Sequence, residues 1–143
     1  ALVARHWLAG GSPAEAAPWL LAAARDALRL GAFADALQHL APVLDYAGHD
    51  AEALRLRAEA LDALGDPAAV AAYRHAARAA GEPESHNLLA KGALAQVKLG
   101  DPKGALQALE GVRPTSVDGR LSEALAYSGA AALGAADPAL GTQ

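Results

Sequence analysis

The chain has 143 residues, of which 53% are hydrophobic but only 4% aromatic, and a formal charge of −4, with twelve Lys and Arg scattered among sixteen Asp and Glu. That length allows one domain with a sizeable core, and the charge excludes the basic excess by which nucleic-acid binders neutralise phosphates. Ile and Cys are absent, Val and Thr are scarce and Ala and Leu dominate, which excludes a sheet, a disulfide framework and a thiolate zinc site and fits a reducing, cytoplasmic setting.

In chain order, apolar spacing and stop signals predict helices over 1–9, 13–30, 33–47, 50–64, 67–80, 84–99, 102–111 and 117–133, with a truncated start near 138. Residues 1–6 lack a signal-peptide layout, and the longest apolar run, Ala16 to Ala24, is too short to span a bilayer. Met is absent even at position 1, so the chain reads as a segment of a longer protein. Ser12-Pro13 with Glu15 has the form of a capping box opening the second helix. Pro18 is expected to divide that helix into a short turn and a helix from Trp19. Pro42, which removes a hydrogen bond to Gln38 at a cost of about 3 kcal/mol, is expected to kink or break the next one. Phe33, Leu37, Leu40 and Leu44 share one helix face, as do Leu54, Ala58, Leu61 and Leu64.

The dipeptide Leu-Gly recurs at Leu30-Gly31, Leu64-Gly65, Leu99-Gly100 and Leu133-Gly134, at intervals of 34, 35 and 34 residues. A fifth copy at Leu140-Gly141 is out of phase. Each in-phase copy ends an Ala/Leu-rich stretch, where Gly can take the left-handed conformation that closes a helix. Asp66-Pro67, Asp101-Pro102 and Asp137-Pro138 then restart the chain, with Asp as N-cap and Pro where a missing N–H costs nothing.

This helix–turn–helix period resembles the tetratricopeptide repeat (TPR). In the unit at about 17–50, Leu20, Ala24, Ala27, Gly31, Phe33 and Ala36 match the family's small, apolar and turn positions. The unit at about 51–85 keeps Leu54, Ala58, Leu61 and Gly65 but departs at Pro67 and Tyr73; that at about 86–119 offers Leu89, Ala93, Gly100, Ala105 and Leu109. A truncated unit at about 120–143 has Tyr127 where a small residue is usual, and 1–16 form a degenerate N-terminal helix and turn. The resemblance implies an all-α fold, a right-handed α-α superhelix of about 3.5 hairpins spanning 1–143 as one domain. It further implies a protein or peptide partner held on a concave face lined by first helices. Carried onto this sequence, that face takes Arg25, Arg29, Arg55, Glu59, Asp62, Asn87 and Lys98. The Lys/Asn clamp by which family members hold chaperone tails cannot be assembled from these residues.

The stretch from Arg5 to Leu37 also resembles the start of the helical-repeat tail of large bacterial ATPase-containing transcriptional regulators, through His6, Gly10, Ala16, Ala24, Ala27 and Gly31. That resemblance implies a cytoplasmic docking or sensing arm, without direct nucleic-acid or membrane binding by this segment. Two other readings remain: a pentatricopeptide-like RNA binder, whose base-reading positions are here largely Ala and Leu, and a self-association module using an uncovered C-terminal face.

No phosphate loop, nucleophile elbow or framed acid pair is present, so no catalytic role and no cofactor is expected. The histidines at 6, 39, 49, 75 and 86 are dispersed, and Glu82, Glu84 and His86 read as a solvated linker rather than a metal site. Trp7 and Trp19 are expected to pack between the first helices and the next unit, the alternative being an exposed anchor for a partner.

Overall fold

A computed structural model describes residues 12–134 of the chain. The helix expected at 1–9, the start near 138, His6, Trp7 and the end of the truncated unit lie outside them. Among the described residues there are seven α-helices and no strand: α1 Pro13–Arg29, α2 Phe33–Tyr46, α3 Ala51–Ala63, α4 Ala68–Ala80, α5 Glu84–Lys98, α6 Pro102–Ala108 and α7 Val117–Ala132. Each packs on the next, and first helices of neighbouring hairpins also meet, α1 with α3 and α5 with α7.

The junction glycines close these helices as their spacing foretold. Gly31, Gly65, Gly100 and Gly134 all have positive φ, between 69° and 87°. Around Gly65 the N–H of Asp66 donates to the Leu61 carbonyl at 2.9 Å and that of Gly65 to Asp62 at 2.9 Å, so that orphan carbonyls are satisfied within the turn. The same pair recurs at Asp101/Gly100 and at Ala32/Gly31. No atom outside its chain neighbours lies within 4 Å of a Cβ placed on Gly65 or Gly100. The left-handed backbone, not a close helix approach, therefore requires glycine there.

Caps follow the acids and Ser116. Asp50, Asp101 and Ser116 accept from the amides of Ala53, Gly104 and Gly119, and Asp66 Oδ1 accepts from Ala68 at 2.9 Å. Ser12 departs from expectation: its side chain makes no cap bond, and only its carbonyl receives the Ala16 amide.

Neither proline interrupts its helix: α1 continues through Pro18 and α2 through Pro42. Packing offsets the lost bonds, because Leu20 and Ala24 beyond Pro18, and Leu40 and Val43 around Pro42, are buried in one cluster. At 25 cal/mol per Å² of apolar area, two such side chains supply a few kcal/mol, comparable with the cost of an internal proline.

Alanine outnumbers every other type among the buried apolar side chains. Leu54, Ala58 and Leu61 of α3 join Ala69, Ala72, Tyr73 and Ala76 of α4 and Leu88 of α5 in the central cluster. Leu64, expected to continue that face, is 50% exposed where α3 ends. Trp19 is 52% exposed rather than packed away.

Candidate functional site

Residues 52, 55, 59 and 62 recur every three or four positions, so they form one stripe on α3, between the buried row of Ala53, Leu56 and Ala60 and the buried row of Leu54, Ala58 and Leu61. Their charges join neighbouring first helices. Arg25 of α1 pairs with Glu52. Arg55 reaches Glu59 one turn on at 3.1 Å, and Lys91 of α5 approaches the same Glu59 oxygen at 3.6 Å. Lys98 of α5 lies 3.9 Å from Asp62.

Tyr73 enters this surface from behind. Its ring is 2% exposed on α4, yet its hydroxyl donates to Asp62 Oδ2 at 3.1 Å. Gly92 permits this, since a Cβ there would stand 3.1 Å from Tyr73 Cβ. Burial raises the Tyr73 pKa above its ordinary value, and the charge of Asp62, its hydrogen bond and Glu59 raise it further, against a smaller opposing effect of Arg55.

A cleft of about 320 Å³ opens where α3, α5 and α7 converge. Glu59, Asp62, Lys91 and Asp118 supply its charges, and Leu94, Leu121 and Leu125 its apolar wall. Leu121 and Leu125 lie one turn apart on α7 and are 56% and 47% exposed. Extended or helical chain segments suit such a surface, which offers alternating charges for orientation and uncovered leucine for contact.

Of the residues expected to line a groove, Arg55, Glu59, Asp62 and Lys98 come together here, and Arg25 joins the row through Glu52. Arg29 stands apart at the end of α1 and, among the described residues, pairs with Asp26 of its own helix at 2.7 Å. Asn87 is not on the groove surface: it is 2% exposed. Its Oδ1 accepts from the amides of Thr115 and Ser116 at 2.8 and 3.0 Å, and its amide donates to Glu84 and to Thr115 Oγ1. Burial and four hydrogen bonds give Asn87 the task of fastening the segment before α7 onto α5.

Sequence reasoning missed Lys91, Tyr73 and Asp118 at this surface, whereas the exposure of Leu121 and Leu125 agrees with the uncovered C-terminal face expected of that helix. Lys91 carried a signal, since it lies two turns before Lys98 and shares its face.

The linker acids are engaged singly. His86 Nε2 lies 3.3 Å from Glu82, His86 Nδ1 accepts the Arg113 amide at 3.0 Å, and Glu84 accepts from Asn87. Among the described residues no three His, Asp or Glu side chains form a group that could hold a metal ion, and no helix is long and apolar enough to cross a membrane. Compared with known proteins, the chain matches no family model, no curated protein and no solved structure.

Proposed function

We propose that this chain is a protein-interaction scaffold, a right-handed superhelix of TPR-like hairpins whose first helices present a concave surface to a peptide or protein partner. The carrying observation is the cleft across α3, α5 and α7, where Glu59, Asp62 and Lys91 stand beside the exposed Leu121 and Leu125. The ion pairs across that surface fix helix spacing, and each is worth little by itself at such exposure. Binding energy would come from covering the leucines, with the charges setting register and direction. The context of a docking or sensing arm in a bacterial transcriptional regulator, in the cytoplasm, rests on the resemblance of residues 5–37 alone.

Selection from a random peptide display library tests the reading. Selected peptides are expected to lose tenfold or more in affinity for Leu121→Asp and Glu59→Lys, with helicity unchanged. Peptides indifferent to both substitutions, or a library that yields none, would refute it.

Self-association is a second reading, favoured by the exposure of Val117, Leu121, Leu125 and Leu133 along α7. Sedimentation over a range of concentrations separates it from capture of a foreign partner.

A further inference from the structure

The second helix of the third hairpin is short. α6 has 7 residues, whereas α2 and α4 have 14 and 13. Gly111, with φ 74°, turns the chain after Leu109, and Pro114 bars a further helical turn. The segment that follows fastens to one side of the start of α5, through the Arg113 amide on His86 and the Thr115 and Ser116 amides on Asn87. Ser85 and Leu89, one turn apart on the side of α5 toward α4, stay half-buried.

The result is a notch of about 390 Å³ between α4, α5 and α6. Its floor is Ala77, Leu89 and Ala108, and its rim carries Arg74 and Arg78, one turn apart on α4 and both exposed. Among the described residues no carboxylate lines it. Arg74 donates to Gln96 Oε1 at 3.3 Å, which steadies it without neutralising it, and Arg78 has no ion-pair partner among the described residues. In a chain of net charge −4, two guanidiniums beside an apolar floor, with no ion-pair partner among the described residues, form a local reversal of the protein's overall sign.

We propose that this notch docks an acidic–aliphatic segment of a partner protein: a side-chain carboxylate held between Arg74 and Arg78, and a neighbouring leucine-sized side chain on Ala77, Leu89 and Ala108. Charge complementarity identifies the occupant. Guanidinium is a planar, weakly hydrated donor that matches a carboxylate, and its two copies stand where an aliphatic neighbour would leave water. The notch shares no residue with the cleft of α3, α5 and α7, so the two surfaces can be occupied independently.

Fluorescence anisotropy with a labelled ten-residue peptide of alternating Glu and Leu, added to the whole chain, tests this. Matched Gln–Leu and Glu–Ser peptides serve as controls. Saturable binding of the Glu–Leu peptide is expected, with at least a tenfold loss in the double variant Arg74→Ala/Arg78→Ala, a comparable loss for either control peptide, and no change for Glu59→Lys. Exposed arginines leave the fold intact, and the control peptides read the same contacts without altering the protein. Equal binding of the Gln–Leu or Glu–Ser peptide, an unaffected double variant, or no saturable binding would overturn the proposal. So would sensitivity to Glu59→Lys alone, which would move the peptide to the concave cleft.

Discussion

Tyr73 on α4 and Asp62 on α3 are joined by a 3.1 Å hydrogen bond that carries a phenol from the buried seam of one hairpin to the charged surface on its far side. The bond holds only while Tyr73 keeps its proton. Its folded pKa lies above the ordinary value of 10.0, whereas the unfolded chain titrates near that value. Below pH 10 the contribution is therefore fully present; above it, unfolding releases a proton and stability falls as pH rises, by at most about 1.4 kcal/mol per pH unit for one group. Chemical denaturation between pH 8 and 11 is expected to show this fall, and Tyr73→Phe to lessen it. Identical alkaline profiles for the two proteins would remove Tyr73 as its source.

Gly100→Val is expected to destabilise the protein by about 1 kcal/mol or more, because φ there is 87° and a β-branched residue is strained in the left-handed region. Lys103→Ala, at an exposed position, is expected to change little. Equal melting temperatures for the two variants would contradict the strain at this turn.

Gly119 offers a test by sign. Replacing a helical glycine by alanine ordinarily stabilises, by about 1 kcal/mol in a helix interior and by less in the first turn, where Gly119 stands as the third residue of α7. Here the added Cβ would stand 2.4 Å from Asn87 Oδ1 and 3.0 Å from Ser116 Oγ, inside the network that fastens the α7 cap. Gly119→Ala is therefore expected to lower stability, as is Asn87→Ala, by about 1–3 kcal/mol for lost buried hydrogen bonds. Denaturation of the double variant checks the coupling: losses that add fully would show that the two residues act separately.

Hydrogen exchange is expected to be slowest in α3 and α4, whose apolar faces are buried from both sides, and faster in α7, where Leu121 and Leu125 are uncovered. Protection in α7 that rises with protein concentration would mean a second copy covers those leucines; α7 protected as well as α3 in dilute protein would contradict the ranking.

The seven described helices were legible because their boundaries are written in local chemistry. Gly65 and Gly100 end helices, and Asp66 and Asp101 receive the next amides, whatever the tertiary structure does. The C-terminal limit of α6 was set three residues too far, because Leu109 and Glu110 continue the helical spacing and only Gly111 and Pro114 argue against it. Pro18 does not divide its helix and Pro42 does not break its own: the intrinsic cost was visible in the sequence, whereas the burial that offsets it was not. The surface was half legible. Arg55 and Glu59 meet within one helix and could be paired by counting, but Lys91 reaches Glu59 only once α4 brings α5 alongside α3. Asn87 shows the limit most clearly, since a polar residue at the start of a first helix looks solvated until a distant loop closes over it.

The stacking order has a mechanical consequence. Among the described helices, packing runs between neighbours and next-but-one neighbours, and α1 and α2 have no substantial packing against α5, α6 or α7. Tension applied at residues 12 and 134 would load these contacts in series, each bearing the whole force, with no long-range clasp to share it. The chain should then yield one hairpin at a time at low force, in steps of about 34 residues, lengthening like a spring rather than snapping at a single rupture.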